Sequence, residues 1–388
     1  MLLENKILSF EEGERILSQK KRSLSIEEES FFAFIKDGFL SYYCFDIAKI
    51  FLSLREADYF LHENEDIFLF SSFPFEQESF SPKFFLPKML FVFDERRNEC
   101  TIFEATSQEE IPSWSFPQHQ FMETSFDEWE KRVQGIKKSI EQNKYQKIVL
   151  SRITQEKIAE EKNSHFLHYW ENLIQVHQDK SHNNETFFCF SLGQQRIFLG
   201  RTPEHLFHQE GKNISVMALA GTKKNSSEKD LLSSAKDLEE HQYVCDFIEE
   251  KFKDKTGVLS SSPLFIYKLR TLEHLCRLYQ FKSSHSISPL HLVEMLHPTP
   301  ALCGLPQETA KEEIKNIEYF PRGLFGAPFG FINKKKSSLF IGIRSAIISF
   351  KENQMTCFAG CGVVRDSDPL SEWQETEKKM ACIKNILQ

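Results

Sequence analysis

The 388-residue chain has no apolar run near the roughly 18 residues that a membrane-spanning helix needs. Its first residues, MLLENKILSFEEGERILSQKKR, are interrupted by charge too often to form a signal-peptide core, so a soluble cytoplasmic protein is expected. An excess of basic charge is also missing: 48 Lys and Arg stand against 56 Asp and Glu, a net charge of −8, and no window interleaves basic with aromatic residues. That balance argues against a nucleic-acid or anionic-membrane surface and points to small-molecule partners. The nine cysteines include no C-x-x-C pair, which fits reduced, buried thiols better than a disulfide framework or a zinc site. The GxGxxG, Walker and G-x-S-x-G patterns are absent, and no two histidines have a metal-ligand spacing. Tandem repeats and Gly/Ser linkers are lacking too, which leaves one large domain or two ordinary ones.

What is present is a patterned α+β chain. FFAFI-KDG-FLSYYCF, turning at Asp37-Gly38, reads as a hairpin, and KMLFVFDERRNECTIFEA reads as another. The stretch IPSWSFPQHQ carries two prolines and precedes a helix starting near Ser125-Phe126-Asp127, with Glu128 in its first turn. A boundary there divides a strand-rich part, residues 1–115, from residues 116–388. In the second part KIVLSRIT, TFFCFSLG, RIFLG, ISVMALAG and SLFIGIRSAIISF read as strands, between helices such as SEKDLLSSAKDLEEHQYVCDFIEEKF and the last one. Hairpins mixed with separate helices indicate α+β rather than a βαβ array.

Several residues stand out chemically. Glu372, Glu375 and Lys379 are spaced to share one face of a helix starting near Pro369, where two carboxylates suit a hard cation such as Mg²⁺ and where a solvated charged face is the plainer alternative. Upstream, Gly360-Cys361-Gly362 is expected to turn backbone N–H groups toward one point, as in an anion-binding nest. Glu240 continues the apolar stripe of Val244 and Phe247/Ile248, and an acid there needs a partner, either a cation or a hydrogen bond from a neighbouring loop. Lys147 opens an apolar strand, where desolvation would suit it to act as a base and snorkelling at the strand end is the simpler role. Glu204, in a turn after Pro203, would serve as an acid if burial kept it protonated. His297, in the rigid HPTPALCGLP loop, reads as a structural hydrogen-bonder.

From about Phe121 onward the chain resembles the chorismate-utilising enzymes. The resemblance rests on ordered motifs: KIVLSR, GRTPEHL, ALAGT, AKDLEEHQ, HPTPALCGLP, RGLFGAPFG, IRSAII and AGCGVVRDSDPLSEWQETEKK. It implies two packed β-sheets with helices outside and a cleft between them. Within the family, aminodeoxychorismate synthases carry a nucleophilic lysine where this chain has Ala220, and ammonia-using members lack the lysine that stands here as Lys147. Water is then the implied nucleophile, and HPTPALCGLPQ resembles the menaquinone-type isochorismate synthases more than the salicylate synthases. A salicylate synthase and a non-catalytic chorismate-binding protein are the competing readings.

The resemblance also implies roles. Lys147 would activate water and Glu204 would protonate the departing C4 hydroxyl. Glu240 and Glu375 would bind Mg²⁺ directly, and Glu372 would hold a metal-bound water. Arg344, Lys379 and the amides near Gly360 and Gly362 would receive substrate carboxylate oxygens. Gly221, Thr222, His274, Ala301 and Phe325 would shape the pocket, Phe325 standing where some relatives have Tyr. A monomer that needs no amidotransferase subunit is expected.

Overall fold

The computed structural model describes residues 2–24, 30–76, 82–107, 111, 114–158, 166–175, 184–224, 230–270 and 272–384. Both expected hairpins form. Phe32–Asp37 pairs with Leu40–Phe51 around Gly38, whose φ of 56° is the left-handed conformation glycine adopts without a Cβ penalty. Lys83–Asp94 pairs in the same way with Glu99–Thr106. The helix Phe126–Glu141 starts as its sequence predicts: Ser125 accepts from the Glu128 N–H, and the Glu128 carboxylate accepts from the Ser125 N–H.

The strands make one antiparallel ladder that is bent in the middle. One half runs from Lys147–Lys157 through Gln354–Val363, Ser345–Ser349, Arg196–Thr202, Thr186–Gly193 and Phe32–Asp37 to Leu40–Phe51 and Lys83–Asp94. The other half leaves Lys83–Asp94 through Leu69–Ser72, Pro328–Ile332, Lys336–Ile341 and His205–Glu210 to Asn213–Lys224 and Leu272–Ser283. Lys83–Asp94 belongs to both halves because one edge pairs with Leu40–Phe51, while the first residues of the other edge pair with Leu69–Ser72 and its last with Glu99–Thr106. Of the strands that precede residue 115, Phe32–Asp37, Leu40–Phe51, Leu69–Ser72 and Lys83–Asp94 therefore lie in the middle of the ladder, and Glu99–Thr106 with Leu2–Ser9 forms a side branch.

The halves pack face to face over a phenylalanine core. Phe188 meets Phe329 at 4.4 Å between ring centroids, Phe70 meets Phe190 at 5.2 Å and Tyr42 meets Phe331 at 5.1 Å. The opposite face of the first half is also buried, under the helices Phe10–Arg22, Phe166–Gln175 and Pro369–Lys384. Hence Phe188 and Phe190 point to the inner core and Cys189 to the helix side. Burial on both faces explains why TFFCFSLG and RIFLG are continuous apolar runs without alternation. Among the described residues no helix is long and apolar enough to cross a membrane.

Two elements differ from their sequence reading. The run SLFIGIRSAIISF is two strands, Lys336–Ile341 and Ser345–Ser349, broken at Arg344, whose φ is 49°. The helix expected from Ser227 begins at Ala235, with Ser234 accepting from the Asp237 N–H and a short 3₁₀ turn, Leu231–Ser233, ahead of it. Residues 225–229 lie outside the described residues.

Candidate active site

One cleft is lined by Glu204, Gly221, Thr222, Glu240, His274, Ala301, Phe325, Arg344, Gly360, Gly362, Glu375 and Lys379. Of the chemically distinctive residues singled out by the sequence, Lys147, Glu372 and His297 are not on its surface.

Lys147 stands just behind the wall. It is the first residue of its strand, fully buried, with Nζ 2.8 Å from Glu240 Oε1. Glu240 reaches it from the helix Ala235–Lys253, so the carboxylate on the apolar stripe finds a lysine as partner. Burial pushes the Glu240 carboxyl up, but Lys147, Lys236 and Lys379 hold it below the ordinary value, so it is ionised. Gly362 leaves room for this pair: a Cβ there would fall 2.5 Å from Glu240 Oε1 and 2.8 Å from Lys147 Cε.

Glu204 occupies the turn between Arg196–Thr202 and His205–Glu210, its N–H bonded to Thr202 Oγ1 at 3.2 Å. Burial raises its carboxyl to about 7, against the opposing pull of Lys147, Lys379 and Arg344. A carboxylic acid with that value holds its proton near neutrality and gives it up readily, as a general acid must.

The break at Arg344 frees its buried guanidinium from the strand and turns it to the cleft. Nη1 donates to Glu185 at 2.9 Å, and Nη2 lies 2.6 Å from His274 Nε2. An arginine only donates, so Nε2 accepts and the imidazole proton sits on Nδ1, which is 3.1 Å from both Gly221 O and Thr222 Oγ1. Burial, reinforced by Arg344 and Lys379, holds His274 well below its ordinary pKa and therefore neutral. Thr222 faces His274 across the ladder because a bulge at Gly221 shifts the register, and the φ of 71° there favours glycine.

The glycine nest does not form. Gly360 and Gly362 lie in the regular strand Gln354–Val363, and neither has a positive φ. Their amides are nevertheless available for another reason. Their ladder partners Ser151 and Val149 direct their N–H groups the other way, to Glu318 Oε1 at 2.7 Å and Cys303 O at 2.7 Å. The two glycines thus form non-hydrogen-bonded pairs, and their own polar groups point away from Lys147–Lys157 along an edge where Ser345–Ser349 has ended. Lys379 uses that edge, donating to Gly360 O at 2.8 Å.

The three expected metal carboxylates come from two helices and each is paired with a lysine: Glu240 with Lys147 at 2.8 Å, Glu372 with Lys236 at 2.6 Å and Glu375 with Lys379 at 2.8 Å. Among the described residues no three His, Cys, Asp or Glu side chains form a ready cation cage. The donor set still fits a hard divalent cation, being all carboxylate oxygen. Lys236 acts as a stand-in: burial disfavours its charge, yet Glu372, Glu240 and Glu375 together raise its pKa. The Glu372 carboxyl is itself raised, by burial first and also by Glu375, a crowding of negative charge that a cation would relieve.

Sequence reasoning missed two residues and misread a third. Glu185, buried and within 2.9 Å of Arg344 and 3.7 Å of Arg201, follows no motif that marks it. Arg322 stands in the sequence only as part of the RGLFGAPFG motif, but it lines the cleft and binds Glu318, Leu302 O and Val149 O. The His297 ring has no hydrogen-bond partner among the described residues; it packs edge-on to Phe75 at 5.8 Å, and burial lowers its pKa to about 3. Among the described residues it is a neutral packing group rather than the hydrogen-bonder expected.

The sequence pattern of the chorismate binding enzymes matches residues 77–388. The isochorismate synthase MenF of Bacillus subtilis (strain 168) is 32% identical over 269 residues, which cover 66% of this chain and 54% of that protein. The isochorismate synthase EntC of Escherichia coli (strain K12) is 34% identical over 210 residues, 51% of this chain and 53% of that one. The chain thus spans about half the length of these curated relatives. Among solved structures, MenF, the menaquinone-specific isochorismate synthase from Escherichia coli, superposes with a TM-score of 0.80 at 20% identity, covering 100% of this chain and 95% of that one. Anthranilate synthase component I from Streptococcus pneumoniae gives 0.69 at 16% identity, covering 99% and 92%. At these identities the two structures establish the fold.

Proposed function

This chain belongs to the chorismate binding enzyme family, and on that premise we propose that it is an isochorismate synthase, converting chorismate to isochorismate. The observation that carries this reading is the presence beside one cleft of Glu204, an acid with a value of about 7, and of a buried lysine, Lys147. In the reaction, water adds at C2, the ring double bond shifts and the C4 hydroxyl leaves. Lys147, acting in its uncharged form, takes the proton from the attacking water, and Glu204 gives its proton to the departing hydroxyl, which leaves as water. Each role accounts for a rate factor of about 10²–10⁴. Return of one proton from Lys147 to Glu204, directly or through solvent, completes the cycle with no net change.

Arg344, held by Glu185 and His274, presents its remaining N–H donors to a substrate carboxylate. Lys379 and the Gly360–Gly362 edge serve the other. Glu240, Glu375 and Glu372 would hold Mg²⁺, which when bound supplies positive charge for a dianionic substrate at a wall of carboxylates. The Phe325 ring stacks on Phe358 at 5.5 Å and closes the pocket with an apolar surface. A cytoplasmic setting, a monomeric state and a menaquinone fate for the product belong to this proposal.

The test is incubation of the purified protein with chorismate, with and without Mg²⁺, followed by chromatography. Isochorismate formed only with the metal is expected. Salicylate with an equal amount of pyruvate would assign the chain to the salicylate synthases, and bound but unconverted chorismate would refute the enzymatic reading.

A further inference from the structure

The three carboxylates and their three lysines are not equivalent. Lys147 is fully enclosed, and Lys379 is 20% exposed and tied to Gly360 O. Lys236 is different: its side chain is 36% exposed, while the Glu372 carboxylate it holds at 2.6 Å is 3% exposed. Lys236 also stands four residues before Glu240 on one helix, and Glu372 stands three before Glu375 on the other, so Glu240 and Glu375 each share a helix face with one partner of this contact. It is the most exposed of these three cations.

We propose that Lys236 is a tethered counter-cation that sets how tightly the carboxylate group takes a divalent metal. Its ammonium neutralises the acids when the metal is away and opposes the incoming charge when the metal arrives. Retention of the Glu372 contact in both states keeps the acids from repelling one another, at the expense of affinity. The proposal rests on the metal reading above. The mutual placement of Lys236 and the three carboxylates, whose charges all act on it, supports it independently of any activity.

The experiment is calorimetric titration of Mg²⁺ into the purified full chain, without substrate, for the native protein, Lys236→Met and Lys236→Arg, with circular dichroism confirming that each is folded. Removal of one positive charge beside the site tightens binding by about tenfold at low salt, and by less as salt screens it. Lys236→Arg, which keeps the charge, stays within about twofold of the native protein on the same grounds. Equal or weaker binding in Lys236→Met overturns this proposal alone. Absence of binding in every form overturns the metal reading and this proposal with it.

Discussion

Lys147 Nζ and Glu240 Oε1, ninety-three residues apart in sequence and 2.8 Å apart in space, join the proposed base to a proposed metal ligand in one ion pair. Replacement of Lys147 with Ala is expected to lower turnover by about 10²–10⁴ with the fold retained by circular dichroism. Near-native turnover would remove Lys147 from the mechanism.

Glu240→Gln and Glu375→Gln keep the shape of the side chain and remove its charge. Each is expected to raise the Mg²⁺ concentration needed for half-maximal activity by at least about tenfold, because a neutral amide is a much poorer ligand for a hard cation. An unchanged magnesium profile would rule out direct ligation by the residue tested.

Glu204 must hold its proton to act as the acid, and its value of about 7 lies above that of an ordinary carboxyl because of burial. The dependence of kcat/KM on pH should therefore fall as pH rises through about 7. Glu204→Gln should lose that limb along with about 10²–10⁴ of the rate. A native profile that stays flat from pH 6 to 9, with turnover limited by chemistry, would contradict the assignment; that window is set by the ordinary reach of about one unit or more on either side of such a value.

Gly362 has no room for a side chain beside Lys147 and Glu240. Gly362→Ala is expected to push the pair out of place and cost about 10²-fold in kcat, a typical consequence of displacement near 1 Å. Steady-state kinetics would check this, and native kcat would mean that the pair tolerates movement.

Arg322 and Glu318 form a pair about 1% exposed, and between them they satisfy Val149 O, Leu302 O and Ser151 N. They finish the free edge of the Lys147–Lys157 strand with side chains where no neighbouring strand continues. Glu318→Ala leaves the guanidinium buried without its counter-charge and is expected to destabilise the fold by about 3–5 kcal/mol. Denaturant unfolding would measure it, and a loss within about 0.5 kcal/mol, the range of ordinary surface changes, would show that the pair is replaceable.

Much of this was legible in the chain itself. The Asp37-Gly38 turn, the Ser125–Glu128 capping box and the helix carrying Glu372, Glu375 and Lys379 follow from residue types at short spacing, because turns, caps and helix faces depend on neighbours within about four residues. The apolar stripe under Glu240 was readable for the same reason, and with it the need for a partner. Which partner it has was decided only by the fold, since Lys147 arrives from a strand whose position depends on pairing with Gln354–Val363. The same holds for the break at Arg344, which local propensity reads as continuous strand, and for Glu185, whose charge has meaning only opposite Arg344. The Gly360 and Gly362 amides make the point most directly. The sequence pointed to these glycines through a local nest that does not form, and the availability of their amides arises because Ser151 and Val149 spend their own N–H groups on Glu318 and Cys303 across the opposite edge. Local periodicity determines elements and faces; burial, charge pairing and open edges are properties of residues brought together from far apart, and only the tertiary structure brings them together.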